Sequence, residues 1–311
     1  MKVVFAGTPA IALPVLDQLS QHHDIQAVVT RPPARHGRSS KLVASPVEQW
    51  ANLRGIEVLT PTKQSYSDFA KRLRQIAPDC CPVVAYGQIL TARLLEIPTH
   101  GWINLHFSAL PAYRGAAPVQ RALLDGCTQT AITTFRIVPT LDAGPIFIQV
   151  PIEITAYETA GDLLTRMATI GGTAMVETLQ RIAAGDQPYP QPTVGVSLAP
   201  KLTSEDARLD LAHPALQFVN QVRAMSPQPG AWALLDGQRF KILRASLIDD
   251  DEGLPDDSHL QIGQLWATNK ALFCRLDEAW VELIEVQAFA RKPMAGSDWA
   301  RGAWKAGMCL G

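Results

Sequence analysis

The chain has 311 residues, of which 47% are hydrophobic and 18% are charged. This length suits two domains better than one, and the hydrophobic content excludes a chain that is disordered throughout. The net charge of −1 excludes a strong overall field, so an anionic partner would have to be met by a local basic patch.

The cysteines and the N-terminal residues indicate the compartment. The five cysteines are an odd number without a CxxC pair, which argues against both a disulfide framework and a zinc site. The apolar run Lys2–Ala6 stops at Gly7-Thr8-Pro9, which is typical of a first strand and not of a signal peptide. No run approaches the roughly 20 apolar residues that a membrane span needs. We expect a cytoplasmic monomer without a bound metal.

The first elements predict a strand, a helix and a second strand. Lys2–Ala6 and Ile25–Thr30 are apolar runs, and apolar residues recur at helical spacing between Ile11 and Leu19. A βαβ unit of this kind predicts an α/β, doubly wound parallel sheet. The first turn reads GTPA instead of GxGxxG, which excludes a nicotinamide dinucleotide at this position.

A basic stretch, RPPARHGRSSKLV at residues 31–43, interrupts the pattern with Arg31, Arg35, Arg38 and Lys41. Its prolines, glycine and serines predict a long loop without regular structure. Such a loop is either a solvated excursion or functional. Because the rest of the chain is neutral, a contact with a phosphate backbone is the favoured interpretation.

Further strands and helices continue the α/β pattern. Ser45 is the expected N-cap of a helix that runs to Arg54, and Pro82 predicts a bulge or an edge position for its strand. Thr130–Val138 alternates between polar and apolar residues, which predicts a half-exposed strand. The other predicted elements are strands at Ile56–Leu59, Asp79–Tyr86 and Ile146–Ile152 and helices at Tyr66–Ile76 and Ala92–Leu95.

The stretch GWINLHFSALPAYRGAAPVQ, at residues 101–120, places polar side chains at the end of a buried strand. Asn104 and His106 are two residues apart, so a strand directs both to the same face. An amide donor beside an imidazole suits acyl transfer, in which a base removes a proton and a donor stabilises the oxyanion. A hydrogen-bonded core histidine is the alternative that the triplet alone leaves open.

Asp142 follows in a loop between two predicted strands, next to Gly144. Aspartate commonly caps turns, and spacing alone gives that interpretation the same weight as a functional one. Together, Asn104, His106 and Asp142 have the composition of an oxyanion donor, a base and a group that orients the base.

The second half of the chain changes in character. A long amphipathic helix at Ala160–Ala184 precedes the Pro-rich stretch QPYPQPTVGVSLAP. We therefore assign residues 1–186 to a first domain, 187–203 to a linker and 204–311 to a second domain. Short strands such as Ala231–Leu235 and Leu260–Gln264 predict a small, mostly β barrel or sandwich there.

The chain resembles the methionyl-tRNA formyltransferases over almost its whole length. The motifs that carry the resemblance are MKVVFAGTP, VVAYGQIL, NLHFSALPAYRGAAPVQRAL, LDAG, KLTSEDARLDL and KPM. The resemblance implies a Rossmann-like formyltransferase domain followed by an OB-like domain that binds tRNA. It also implies transfer of a formyl group from 10-formyltetrahydrofolate to the α-amine of initiator methionyl-tRNA.

Site residues follow from the resemblance position by position. Asn104, His106 and Asp142 match the catalytic trio of the family, and Arg38 falls on the element that reaches the acceptor stem, with Arg35 and Lys41 beside it in the basic stretch. The positions that match folate-binding stretches are Val84, Ala85, Tyr86, Gly87, Ile89, Ser108, Ala109, Leu110 and Pro111.

Several departures from the family pattern lie close to these positions. Phe107 replaces a usual glycine, and Ala112 replaces a usual basic residue before Tyr113. Thr140, Ala143 and Pro145 alter the loop around Asp142, so altered folate affinity or reduced activity is expected. Alternative functions are a hydrolase that releases formate from the same donor, a sugar-nucleotide formyltransferase, and a tRNA-binding protein with a vestigial folate pocket.

Overall fold

A computed structural model describes residues 1–35, 42–248, 254–255, 260–277 and 279–311. The chain forms two compact units. The first comprises Met1–Pro118, Gln129–Glu153 and Leu164–Ala199. The second comprises Val119–Thr128, Ile154–Leu163 and Pro200–Gly311. No helix in these described ranges is long and apolar enough to cross a membrane.

Strands and helices are interspersed along the chain up to residue 199. The strands are β1 (Lys2–Gly7), β2 (Asp24–Val29), β3 (Ala34–Arg35), β4 (Leu42–Val43), β5 (Glu57–Leu59), β6 (Cys81–Val84), β7 (Trp102–His106), β8 (Arg114–Gly115), β9 (Gln129–Arg136), β10 (Ile146–Glu153) and β11 (Leu198–Ala199). The helices are α1 (Leu13–His22), α2 (Pro46–Asn52), α3 (Tyr66–Ile76), α4 (Ala92–Leu95), α5 (Pro118–Leu124) and α6 (Ala160–Ala183). The side chain of Ser45 accepts a hydrogen bond from the Glu48 N–H at 3.0 Å, which fixes the start of α2 as predicted.

The first unit is built on a sheet with the strand order β10-β9-β7-β6-β1-β2-β5. β5, β2, β1, β6 and β7 are parallel to one another. β9 pairs antiparallel with β7, and β10 pairs antiparallel with β9. The order reverses at β1, whose neighbours are β2 on one side and β6 on the other. Ligands of doubly wound sheets bind at such a switch point, beyond the carboxyl ends of the strands. The predicted α/β, Rossmann-like class is confirmed.

Pro82 lies in a central strand, so the predicted edge position is wrong. β6 pairs with β1 on one side and with β7 on the other. Proline lacks an N–H, and the pairing with β1 is broken between Cys80 and Val83. The missing donor therefore falls where the ladder is already interrupted.

β9 is buried almost throughout, so the predicted half-exposed strand is also wrong. Thr133 and Thr134 are 0% and 1% exposed. Their hydroxyls are bonded inside the unit, to the carbonyl oxygen of Ser108 at 2.7 Å and to the Thr178 hydroxyl at 2.7 Å. Threonine is a polar residue in sequence patterns, but here its hydroxyl is satisfied internally, which makes its burial tolerable.

Regular structure is present at both ends of the basic stretch, which the prediction of an irregular loop missed. β3 and β4 pair antiparallel, with Ala34 opposite Val43 and Arg35 opposite Leu42. Arg35 is exposed on this short ladder. Arg38 and Lys41 lie outside the described residues.

The second unit contains an antiparallel sheet with the order β12-β13-β16-β15-β14, and β17 pairs with β16. Its elements are α7 (Ala215–Met225), β12 (Ala231–Leu235), β13 (Gln238–Leu247), β14 (Leu265–Ala267), β15 (Leu272–Arg275), β16 (Trp280–Gln287), β17 (Met294–Ala295) and α8 (Gly296–Ala303). The strand predicted at Leu260–Gln264 instead begins at Leu265, because Gly263 with φ +88° makes a turn. The prediction of a smaller, mostly β second domain is confirmed.

The residues 308–311 bridge the two edge strands of this sheet. Gly311 exchanges two backbone hydrogen bonds with Leu234 next to the end of β12, at 2.7 and 2.8 Å. On the other edge, the Leu265 N–H donates to the Met308 carbonyl oxygen at 2.8 Å. The side chain of Leu310, only 2% exposed, joins the core of the unit. This segment curls the sheet towards a closed barrel, which removes free strand edges.

Candidate active site

Asn104 and His106 extend from β7 on one face of the sheet. The strand is apolar and buried at Trp102, Ile103 and Leu105, whereas Asn104 is half-buried. The Asn104 side chain makes no hydrogen bond with the part of the chain that the structure describes. Asn104 pairs with Val83 of β6, so the amide lies beside the carboxyl end of β6 at the switch region. Its donor and acceptor are therefore available to a ligand.

The imidazole of His106 is 5% exposed and is held by a backbone carbonyl. Its Nε2 lies 2.9 Å from the Tyr113 carbonyl oxygen. A carbonyl only accepts, so Nε2 carries the proton and donates, which leaves Nδ1 with a lone pair in the neutral ring. Burial lowers the pKa of His106 below its ordinary value, whereas the Asp142 carboxylate and the bond to Tyr113 act in the opposite direction. The neutral ring is therefore the dominant form near pH 7.

Asp142 faces the other nitrogen of this ring. Its Oδ2 is 3.9 Å from Nδ1 of His106, which is longer than a hydrogen bond. The same oxygen accepts a hydrogen bond of 2.8 Å from the Gly115 N–H. Asp142 lies in the loop between β9 and β10 with φ +45°, an uncommon conformation for a residue with a side chain. The bond that orients the imidazole thus comes from Tyr113, which the sequence did not suggest.

Two acceptors converge between His106 and Asp142. The lone pair of Nδ1 and the carboxylate face each other across 3.9 Å without a proton between them when the imidazole is neutral. A donor such as an amine or a water that enters this space can be bound by both and deprotonated there. The half-buried Asn104 amide, two residues before His106 on the same strand face, is suited to the oxygen of a carbonyl under attack.

The loop after β7 is a buried turn. Ser108 is 0% exposed, and its hydroxyl donates to the Ala112 carbonyl oxygen at 2.6 Å. Leu110 and Pro111 are also buried, whereas Ala109 is half-buried. The Ser108 side chain therefore supports the turn, and Ala109 is the more accessible of these predicted folate positions.

Phe107 is 7% exposed and has no positive φ, so the glycine expected from the family pattern is not required by the backbone here.

The segment after β6 combines buried anchors with exposed turns. Val84 and Tyr86 are buried, whereas Ala85 with φ +50° and Gly87 with φ +72° are exposed. Ile89 is 88% exposed, which is unusual for a large apolar side chain. The exposed backbone and Ile89 thus form a surface at the carboxyl end of β6, where a doubly wound sheet binds its ligand.

Three residues that sequence reasoning missed support the site. Gln191 and Ser197 belong to the Pro-rich stretch assigned to a linker, and both contact the loops around His106. Arg114 donates to the Gln191 side-chain oxygen through Nε at 3.2 Å and Nη2 at 2.6 Å. The only signal in the sequence was the presence of polar residues among the prolines, which does not reveal a partner.

The family described as Formyl transferase matches residues 1–179, and its C-terminal domain matches residues 201–303. The methionyl-tRNA formyltransferase of Streptomyces coelicolor is 50% identical over 306 residues, which covers 97% of each chain.

Two solved structures share the fold. The methionyl-tRNA formyltransferase from Clostridium thermocellum superposes with a TM-score of 0.59 at 16% identity, covering 80% of this chain and 94% of its own. HypX from Aquifex aeolicus, solved in complex with tetrahydrofolic acid, gives a TM-score of 0.68 at 14% identity and covers 96% of this chain. The chain spans about half of HypX, 47% of its length.

Proposed function

Because this chain belongs to the methionyl-tRNA formyltransferase family, we propose that it transfers a formyl group from 10-formyltetrahydrofolate to the α-amine of initiator methionyl-tRNA. The observation that carries this proposal is the convergence of His106 Nδ1 and the Asp142 carboxylate, 3.9 Å apart, beside the free amide of Asn104. Relatives at 42–50% identity bear this name, and they do not favour the hydrolase or sugar-nucleotide alternatives.

The reaction needs a neutral amine and a stabilised oxyanion. An α-amino group titrates near pH 7.7, so a weak base suffices to remove its proton. As the nitrogen of the neutral amine bonds to the formyl carbon, His106 Nδ1 accepts one of the protons of that nitrogen, directly or together with Asp142. Asn104 donates to the developing oxyanion. The bond between the formyl carbon and the folate N10 then breaks, and the proton passes to N10.

We assign the folate donor to the surface at the carboxyl ends of β6 and β7. The exposed turn at Ala85–Gly87 with Ile89, and Ala109 in the loop after β7, supply accessible positions. The buried residues Val84, Tyr86, Ser108, Leu110 and Pro111 hold the backbone of these two loops. We assign the tRNA contact to Arg35, Arg38 and Lys41 of the basic stretch.

A formyl-transfer assay with labelled 10-formyltetrahydrofolate tests the function. We expect label on aminoacylated initiator tRNA and none on the same tRNA without methionine. A UDP-amino-sugar acceptor and a reaction without acceptor serve as controls. Release of formate at the same rate without acceptor, or label on the sugar alone, would contradict the proposal.

A further inference from the structure

Two groups lie beside the His106 imidazole, the Asp142 carboxylate and the Tyr113 carbonyl oxygen. The Pro-rich stretch from Gln187 to Pro200 makes hydrogen bonds to the backbone of both residues. We propose that Gln191 and Ser197 are positioning residues of the formyl-transfer reaction, one for Asp142 and the other for Tyr113. This inference rests on the proposed function, which it deepens by extending the site beyond the residues that face the substrates.

Gln191 fastens the backbone on both sides of the Asp142 carboxylate. Its Nε2 donates to the carbonyl oxygens of Asp142 and Gly144, each at 2.8 Å. Its Oε1 accepts two hydrogen bonds from Arg114. Both donors and the acceptor oxygen of the Gln191 amide therefore have partners. Asp142 adopts φ +45°, and such a conformation persists in a residue with a side chain when its surroundings hold it. The two hydrogen bonds from Gln191 keep the Asp142 backbone in this conformation.

Ser197 performs the matching task for Tyr113. Its Oγ accepts a hydrogen bond of 2.8 Å from the Tyr113 N–H, and its carbonyl oxygen accepts one of 2.9 Å from the Arg114 N–H. Tyr113, at φ +58°, presents its own carbonyl oxygen to His106 Nε2. Ser197 thus sets the backbone that fixes which nitrogen of the imidazole carries the proton.

The short ladder between β8 and β11 ties the stretch to the loop along its length. Arg114 pairs with Leu198, and Gly115 pairs with Ala199. Gly115 also donates its N–H to the Asp142 carboxylate. The Pro-rich stretch therefore positions the Asp142 carboxylate in two ways. Gln191 bonds to the Asp142 backbone, and β11 pairs with β8, whose Gly115 N–H bonds to the carboxylate.

The test compares Gln191→Glu with Gln191→Ala. Glutamate keeps an oxygen that accepts from Arg114. Its second carboxylate oxygen replaces the Nε2 donor and repels the carbonyl oxygens of Asp142 and Gly144. We expect kcat to fall by about a hundredfold in Gln191→Glu, the loss typical of a misplaced catalytic group, with little change in KM. Gln187→Ala is the matched control, because the exposed Gln187 side chain contacts only the Gly185 carbonyl oxygen among the described residues.

Ser197 has its own pair of variants. Ser197→Ala removes the acceptor for the Tyr113 N–H, whereas Ser197→Thr retains a hydroxyl. We expect Ser197→Ala to lose activity and Ser197→Thr to recover most of it. Equal activity of the two variants and the parent would overturn the assignment of Ser197.

A titration of His106 by NMR separates positioning from folding and does not depend on turnover. The Asp142 carboxylate raises the pKa of His106, so its displacement in Gln191→Ala, which adds no new charge, should move the titration to lower pH. Lost activity with a lower thermal midpoint and an unmoved titration would assign Gln191 a merely structural role. An unchanged kcat and titration would also overturn the proposal. If the parent chain itself formylates no tRNA, the proposed function fails, while the titration still decides whether Gln191 places Asp142.

Discussion

Asn104 lies in the middle of the strand β7, and its half-buried amide has no hydrogen-bond partner among the described residues. We expect Asn104→Ala to lower turnover on the order of a hundredfold to a thousandfold, as the loss of an oxyanion donor does elsewhere. The thermal midpoint should stay close to that of the parent, because no described contact is lost. Formyl transfer and thermal unfolding measured on the same preparation check both expectations.

Asn104→Asp is the sharper companion variant. It keeps the size of the side chain and replaces the donor with a negative charge. We expect it to be at least as damaging as Asn104→Ala. Near-native turnover in either variant would remove Asn104 from the oxyanion role.

The pH dependence of turnover reports His106. Its pKa is lowered by burial and partly restored by the Asp142 carboxylate. Asp142→Asn removes that charge, so the pKa of His106 falls further and the acidic limb of the kcat profile moves to lower pH, while turnover decreases. Asparagine retains an oxygen for the Gly115 N–H, which limits structural change. An acidic limb that stays in place or moves to higher pH would contradict the pairing.

The lowered pKa also has a consequence for stability. The unfolded chain binds a proton at His106 below the ordinary value of about 6.5, where the folded chain does not. The stability linked to this group is therefore fully present above about pH 6.5 and is lost as pH falls towards the folded pKa.

Sequence reasoning could place Asn104 and His106 on one face, because strand alternation alone dictates it. It could not find the Tyr113 carbonyl, which belongs to the backbone and carries no residue signature. The role expected for Asp142, to orient the imidazole, depended on a distance, and the observed 3.9 Å is longer than a hydrogen bond.

The β8–β11 ladder depends on the absence of a side chain at Gly115. A Cβ there would lie 2.6 Å from the Ala199 carbonyl oxygen, and φ is +129°. We expect Gly115→Ala to separate the two strands, to lower the free energy of unfolding by about 1–3 kcal/mol and to reduce turnover, since the Gly115 N–H contacts Asp142.

Gly195→Ala is the control, because Gly195 also has a positive φ, +83°, but no atom lies within 4 Å of the position that its Cβ would occupy. It carries backbone strain without the collision. Equal loss of turnover in both variants would show that strain, and not strand separation, is responsible.

The sequence predicted the order of elements where periodicity was strong, as in α3 and β1. It did not predict which residues of these elements are buried. β9 reads as half-polar because threonine counts as polar, and only the partner hydroxyls and carbonyls show why it is buried. The position of β6 in the middle of the sheet depends on strand order, which no local pattern contains.

The basic stretch is tested on the interaction with whole tRNA. We expect the combined change of Arg35, Arg38 and Lys41 to alanine to raise KM for tRNA without affecting folate binding. Each lost phosphate contact should reduce the slope of log K against log salt by about 0.7–0.9. Arg181→Ala is a control for the loss of a single surface cation elsewhere, since Arg181 is exposed on α6 and paired with Glu177. An unchanged slope in the triple variant would exclude these residues from the interface.

Removal of residues 308–311 should destabilise the second unit. It eliminates four backbone hydrogen bonds between this segment and the two sheet edges, and the burial of Leu310. We expect the free energy of unfolding to fall on the order of 4 kcal/mol or more, with a tendency to aggregate through the exposed edges. Thermal unfolding and light scattering measure both effects.

Cys309→Ser is the control for this deletion, because it preserves the backbone ladder and a donor on the side chain. A deletion variant as stable as Cys309→Ser would show that the bridge contributes little.

The two-part plan of the molecule could be predicted from composition, since helices and apolar strands precede the Pro-rich stretch and short strands follow it. The interleaving could not: Val119–Thr128 and Ile154–Leu163 belong to the second unit although they precede the Pro-rich stretch. Such segments are distinguished by their distant partners, as when Arg223 donates to the carbonyl oxygens of Thr155 and Glu158.

The hydrogen bonds of Gln191 and Ser197 bear on how chimaeric enzymes should be made from this chain. A crossover at residue 186, the end of the first domain expected from composition, would import both positions from the donor of the second domain. The graft would then supply foreign hydrogen-bond partners for Asp142 and Tyr113 while leaving Asn104, His106 and Asp142 themselves unchanged. A crossover after Ala199 keeps Gln191 and Ser197 in the same parent sequence as Asp142 and Tyr113. Among recombined variants, we therefore expect activity mainly in those whose crossover lies after Ala199.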